Sequence, residues 1–133
     1  MPNLSAWSPT FLGVLRIVTG LLFLEHGAQK LLNFPAGEHG GVALASLMGV
    51  AGALELVGGA LIALGLVTRP VAFILSGQMA VAYRMAHAPA SPFPINNGGD
   101  GAILYCFIFL YLVFAGPGRF AVDSLIGALK TAV

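Results

Sequence analysis

The sequence predicts an all-α fold: an integral membrane four-helix bundle with a short C-terminal interfacial helix. Three observations predict it. First, 58% of the 133 residues are hydrophobic and only 8% are charged, against roughly a quarter charged in a soluble domain. Six Lys/Arg and five Asp/Glu cannot cover a water-facing surface of that size. Second, the apolar residues gather in four stretches close to the ~20 residues a helix needs to cross a bilayer. Third, strict polar/apolar alternation is absent, which argues against a barrel, the other backbone that lipid tolerates. A formal net charge of +1 supplies no basic field for nucleic acid. The single cysteine, Cys106, excludes an intrachain disulfide and any CxxC motif. Residues 1–133 read as a single membrane domain.

The first span covers about residues 10–32 and is broken by Asn33-Phe34-Pro35-Ala36-Gly37. The second and third cover about 42–66 and 70–88. Thr68-Arg69-Pro70 separates them, with Pro70 suited to a helix start. Pro89 to Asp100 is a loop rich in Pro, Asn and Gly. The fourth span, about 101–115, stops at Gly116-Pro117-Gly118. In the tail, 116–133, Asp123 is suited to cap a short helix. Leu125, Ile126, Leu129 and Val133 would share its apolar face and rest on the membrane surface. The first run follows no basic residue and itself carries Arg16, Glu25 and His26, so it does not read as a cleaved signal peptide. Four spans place both termini on one side, together with Arg69, Arg119 and Lys130. The other side holds Lys30 and Arg84. The positive-inside tendency then predicts a multi-pass plasma-membrane protein with cytoplasmic termini.

Ionisable groups within hydrocarbon are costly and mark candidate sites. Here they are Arg16, Glu25, His26 and Lys30 in the first span, Glu55 in the second, and Arg84 and His87 in the third. At 100° per residue, Arg16, Thr19, Phe23, His26 and Lys30 share one side of the first helix. Gly13, Gly20 and Gly27 form a stripe beside it, and small residues favour close helix packing. That side therefore faces the bundle. Glu25 points elsewhere, toward another part of the bundle or a second copy. Ala51, Glu55, Gly59 and Ala63 recur at four-residue spacing in the second helix. Ser76, Ala80, Tyr83 and His87 share a side of the third. Glu55 is expected to pair with Arg16 or Arg84.

Antiparallel helices bring Glu25, His26, Arg84 and His87 to the outer half, Glu55 near the middle, and Asn97 and Asp100 to the outer mouth. These positions outline a polar pocket of Arg16, His26, Lys30, Glu55, Tyr83, Arg84, His87, Asn97 and Asp100. A quinone needs an apolar slot for its ring and a donor at each carbonyl. His26, Arg84, Tyr83 or Tyr105 could donate, and Glu55 or His26 could exchange protons. Bis-histidine haem through His26 and His87 is disfavoured, because similar depth is no rotational match. Cys106 reads as a small apolar side chain. The sequence shows no metal-spacing motif, nucleophile–base triad or phosphate loop, and it assigns no catalytic residue.

The order of motifs resembles the DoxX family of small four-helix membrane proteins. The matching pieces are Arg16 with His26-Gly27-Ala28-Gln29-Lys30-Leu31, Glu55-Leu56-Val57-Gly58-Gly59, Leu64-Gly65-Leu66-Val67-Thr68-Arg69, Asn97-Gly98-Gly99-Asp100-Gly101, and Gly116-Pro117-Gly118 followed by Asp123. Asp100 departs from the Glu often found in relatives, and Phe120-Ala121-Val122-Asp123 lacks a Ser common there. The resemblance implies four membrane helices and, in some relatives, quinone-linked redox or oxidative-stress roles. It carries over no catalytic residue. The favoured expectation is a quinone-interacting membrane component, with a soluble redox enzyme or further copies of the chain as partners. A non-catalytic scaffold or assembly factor and a small proton-coupled transporter stay open as alternatives.

Overall fold

The computed structural model describes residues 2–131. Among them the fold is all α, with six helices and no strand. Helix α1 covers Ser8–Leu32, after a 3-10 turn at Leu4–Trp7. Helix α2 covers Leu47–Leu64 and α3 covers Thr68–Ala82. A π-helical turn, Tyr83–His87, prolongs α3. Then come the short α4, Pro94–Asn97, α5, Asp100–Ala115, and α6, Val122–Thr131.

Local chemistry sets these limits. The apolar run from Val42 suggested an earlier start for α2, but Ser46 decides it. Its hydroxyl accepts the Gly49 N–H at 3.0 Å, which is N-capping. The residues before it form a loop tied to α1 by the Val42 N–H on the Lys30 carbonyl, 2.9 Å. Gly65 ends α2 in the left-handed region at φ +68°, where glycine pays no Cβ penalty. The expected third span continues through the π turn rather than as uniform α-helix. Helix α4 arises inside the expected loop, with Pro94 in its first turn. On α6, Leu125 and Leu129 are exposed; Val133, expected on the same face, lies outside the described residues.

Helices α1 and α2 pack as an antiparallel pair with their backbones touching. A Cβ on Gly20 would lie 2.5 Å from the Ala63 nitrogen, and one on Gly59 would lie 2.5 Å from the Leu24 nitrogen. One on Gly27 would collide with the Leu56 nitrogen. The small-residue stripe therefore does what its spacing suggested. Helix α3 pairs with α5, where the Ser76 hydroxyl donates to the Cys106 carbonyl at 2.9 Å. Phe23 of α1 joins the two pairs. Its ring centre is 4.9 Å from Phe109 and 5.2 Å from Tyr105. Around it lie the buried Ile62, Ala72, Leu75, Met79 and Leu112. Phe11, Val18, Leu21, Val57, Phe73, Phe107 and Phe114 all point outward and are exposed. Soluble monomers rarely expose apolar surface on this scale.

At the end that holds the start of α1, Arg16 is fully buried and donates to five carbonyls. Nε reaches Pro117 at 2.7 Å. One terminal nitrogen reaches Ile62 and Ala63 at 2.7 and 2.6 Å. The other reaches Arg119 and Phe120 at 3.1 and 2.9 Å. All five guanidinium N–H groups are used. Arg16 thus ties α1 to the end of α2 and to the α5–α6 connection, and it lies outside the polar pocket expected from the sequence. About ten residues separate it from His26, or roughly 15 Å of helix.

Asp123 acts beside it. Its carboxylate accepts the N–H groups of Val67 and Thr68 at 2.7 and 2.9 Å. It therefore caps α3 across the fold, whereas the sequence suggested that it caps its own short helix. This contact also holds Val67, a β-branched residue, at φ +50°, a conformation such residues rarely adopt. Burial pushes the Asp123 carboxyl up, but the Thr68 and Val67 N–H bonds and the Arg16 charge outweigh it and hold it below the ordinary carboxylate range. The sign follows directly. A depressed folded-state pKa gives stability that is complete above the ordinary range and is lost as pH falls through the depressed value. Asp123→Asn is therefore expected to cost about 1 kcal/mol near neutral pH. It should also flatten the acid limb of a plot of melting temperature against pH below about pH 4. An unchanged acid limb would show that this carboxylate does not cap α3.

Candidate functional site

The opposite end of the bundle carries a cavity of about 230 Å³ between α1, α2, α3 and the start of α5. Phe23, Met79, Ala82 and Ala102 give it apolar walls, and His26, Lys30, Glu55 and Tyr105 give it polar ones. Gly98 and Gly101 border it from the loop before α5 and from α5 itself. Tyr105 is held by aromatic packing, with Phe109 stacked at 6.0 Å and the His26 ring edge-on at 6.1 Å.

Glu55 is 2% exposed. Its Oε1 meets Lys30 Nζ at 2.5 Å and accepts from Gln78 Nε2 at 3.1 Å. Its Oε2 is buried without a hydrogen-bond partner among the described residues. The same amide nitrogen of Gln78 donates to the Ala51 carbonyl at 3.2 Å, so α3 is pinned to α2 at this level. Lys30, not Arg16 or Arg84, is thus the partner of Glu55. Arg16 is committed to carbonyls at the other end, and Arg84 is exposed on the π turn with no ion pair among the described residues. Lys30 lies seven helical steps below Phe23 on the cavity side of α1, and its stem reaches inward from the last turn.

Three further candidates form a cluster of their own beside the cavity. Asn97 Nδ2 donates to the Tyr83 hydroxyl at 3.3 Å and to the Ser91 carbonyl at 2.9 Å. His87 Nδ1 donates to the Asn97 carbonyl at 3.0 Å, and its ring stacks on Tyr83 at 6.3 Å. A Cβ on Gly99 would lie 2.5 Å from the Tyr83 ring. The cluster fastens the π turn to the loop that borders the cavity, and π turns recur at functional sites. Asp100 is exposed in the first turn of α5, where its charge suits the helix N-terminus. It does not line the cavity. Glu25 faces outward from α1, beside Leu22, His26 and Gln29.

The structure therefore brings His26, Lys30 and Glu55 together, sets Tyr83, His87 and Asn97 next to them, and leaves Arg16, Arg84 and Asp100 outside. Sequence reasoning passed over Gln78. The one amide of the third span was the available signal, since such groups bond across membrane helices. Among the described residues, no three His, Cys, Asp or Glu side chains converge as a metal site would require.

A family model for DoxX matches residues 11–88. A Haemophilus influenzae protein described as uncharacterized is 47% identical over 130 residues, covering 93% of this chain and 96% of the relative. A Bacillus subtilis protein named "Putative oxidoreductase CatD" is 31% identical over 116 residues, covering 85% of this chain and 84% of the relative. No solved structure matches the chain significantly. Two helical segments, Leu4–Leu32 and Leu47–Leu64, are long and apolar enough to cross a membrane. The outward apolar surface and these matches lead to one conclusion: the chain belongs to the DoxX family and is a membrane protein.

Proposed function

We propose that this chain is a multi-pass plasma-membrane protein that binds a quinone in the His26–Tyr105 cavity as part of a redox system. The observation that carries the reading is the cavity itself, an apolar slot with donors at one depth. Its ~230 Å³ suits one ring, since a cavity of about 150 Å³ takes benzene. Phe23, Met79 and Ala102 would sandwich the ring. His26 and the Tyr105 hydroxyl would donate to its carbonyls, and the Lys30 ammonium would supply positive charge as electrons arrive. Reduction of a quinone to its quinol takes two electrons and two protons. A soluble redox partner would supply the electrons, and His26 stands at the exposed rim where protons can be replaced. The name of the Bacillus subtilis relative is consistent with redox chemistry.

In the same proposal, α1, α2, α3 with its π turn, and α5 are the four spans. Helix α6 lies on the surface through Leu125 and Leu129, and both termini are cytoplasmic. A second reading, a scaffold without a ligand, is favoured by the Lys30–Glu55–Gln78 and Tyr83–Asn97–His87 contacts, in which polar groups partly satisfy one another.

Binding of a quinone analogue to the protein in lipid nanodiscs separates the two. His26→Ala and Tyr105→Phe are each expected to weaken it about tenfold, the worth of one lost hydrogen bond in a buried site. Unchanged affinity in both variants would favour the scaffold.

A further inference from the structure

A second cavity lies on the other side of Glu55. It is a groove of about 450 Å³ between α2 and α3, within the size range of small-molecule sites. Leu54, Ile74, Gly77 and Val81 line it, and Glu55 and Gln78 form its polar floor. Leu54, Ile74 and Val81 are exposed, so the groove opens sideways toward lipid.

The floor has an unusual hydrogen-bond balance. Both N–H groups of Gln78 Nε2 are used, on Ala51 and Glu55 Oε1, while Lys30, which also lines the groove, uses one of its three N–H groups on Glu55 Oε1. Two acceptors, Glu55 Oε2 and Gln78 Oε1, are buried with no partner among the described residues. Buried acceptors left unpaired are costly. The bilayer cannot supply the missing donor. Acyl chains have none, and Glu55, eight residues into α2, lies about 12 Å along the helix from its start, below headgroup depth. The charge is already balanced, because Lys30 pairs with Glu55, so a second cation would leave the floor with excess positive charge.

The geometry points to a second binding site in the α2–α3 groove for a neutral, lipid-soluble molecule that bears a hydroxyl group. Its apolar body lies along Leu54, Ile74 and Val81, and its hydroxyl donates to one of the two unpaired acceptors, Glu55 Oε2 or Gln78 Oε1. This assignment does not depend on a quinone in the His26 cavity. The two sites share Lys30 and Glu55, but His26 and Tyr105 belong to the first alone and Gln78 to the second alone.

The probe is para-hexylphenol, compared with its methyl ether, which has the same body and no donor. Each is added to the full chain in nanodiscs and the melting temperature is followed. Half-maximal stabilisation by the phenol should need a concentration at least about tenfold lower than that of the ether, the difference one hydrogen bond to a charged acceptor makes. Gly77→Leu fills the groove from a position where a Cβ meets nothing within 4 Å, so the chain still folds, and the phenol effect should vanish. His26→Ala should leave the phenol effect unchanged, which separates this site from the quinone cavity. Equal potency of phenol and ether would show that the groove merely holds acyl chains. That result, no stabilisation at all, survival of the effect in Gly77→Leu, or its loss in His26→Ala would each overturn the assignment.

Discussion

Arg16→Ala is expected to destabilise the fold by at least about 3 kcal/mol, because five buried or part-buried carbonyls lose their donor and each group left unpaired away from water costs ~1–3 kcal/mol. Some of that cost relaxes, since the α5–α6 connection can move toward water. Arg16→Lys separates charge from geometry. Lysine keeps the charge but offers three donors on one atom, where arginine offers five in a fork. It cannot serve carbonyls from α2, Pro117 and Phe120 at once, so it should recover only part of the loss. Equilibrium unfolding in a mild detergent measures both variants. A loss below about 1 kcal/mol for the alanine variant would contradict the latch.

Lys30→Met is expected to cost about 3 kcal/mol, because it strands the buried Glu55 carboxylate. Glu55→Gln should cost less, near 1–2 kcal/mol. Its amide can still accept from Gln78, and the Lys30 side chain, 21% exposed, can extend its ammonium toward the interface. The asymmetry follows from burial, since the Glu55 side chain is 3% exposed and that of Lys30 is 21% exposed. The double variant Lys30→Met with Glu55→Gln should cost less than the sum of the two, with a coupling of about 1–3 kcal/mol. Additive losses would show that the 2.5 Å contact does not couple the two residues.

These two residues show what a sequence reveals and what it hides. The apolar runs give the main helices, because hydropathy is a local property summed along the chain. The start of α2 escaped because Ser46 capping overrides an apolar run, and a hydroxyl contact with Gly49 leaves no trace in hydropathy. Depth was legible. A fixed rise per residue and alternating helix direction put His26 in the outer half and Glu55 near the middle. Azimuth was not, because the rotation of α2 and α3 against α1 depends on packing. That is why the sequence offered Arg16 or Arg84 as the partner of Glu55 and only the fold selects Lys30.

Arg16 was hidden for a different reason. Its partners are main-chain carbonyls, which every residue carries, so nothing in the sequence around Ile62 or Phe120 marks them. Asp123 reaches the start of α3 across the fold, and only the α5–α6 connection brings it there. The motif pieces that resemble DoxX proteins divide accordingly. Arg16, Gly65, Thr68, Pro117 and Asp123 meet at the end that holds the start of α1, where Gly65 also accepts the Asp123 N–H at 2.9 Å. His26, Lys30 and Glu55 meet at the cavity, and Gly98 and Gly101 border it. Half of the motif pattern therefore builds the fold and half surrounds the candidate site.

The most direct test of the quinone proposal is photolabelling with an azidobenzoquinone in nanodiscs, followed by peptide mapping. The expected label falls on α1 between Phe23 and Lys30 and on α5 between Ala102 and Tyr105, and excess unlabelled quinone removes it. Label that quinone does not displace, or displaceable label confined to other segments, would contradict a quinone in the His26–Tyr105 cavity.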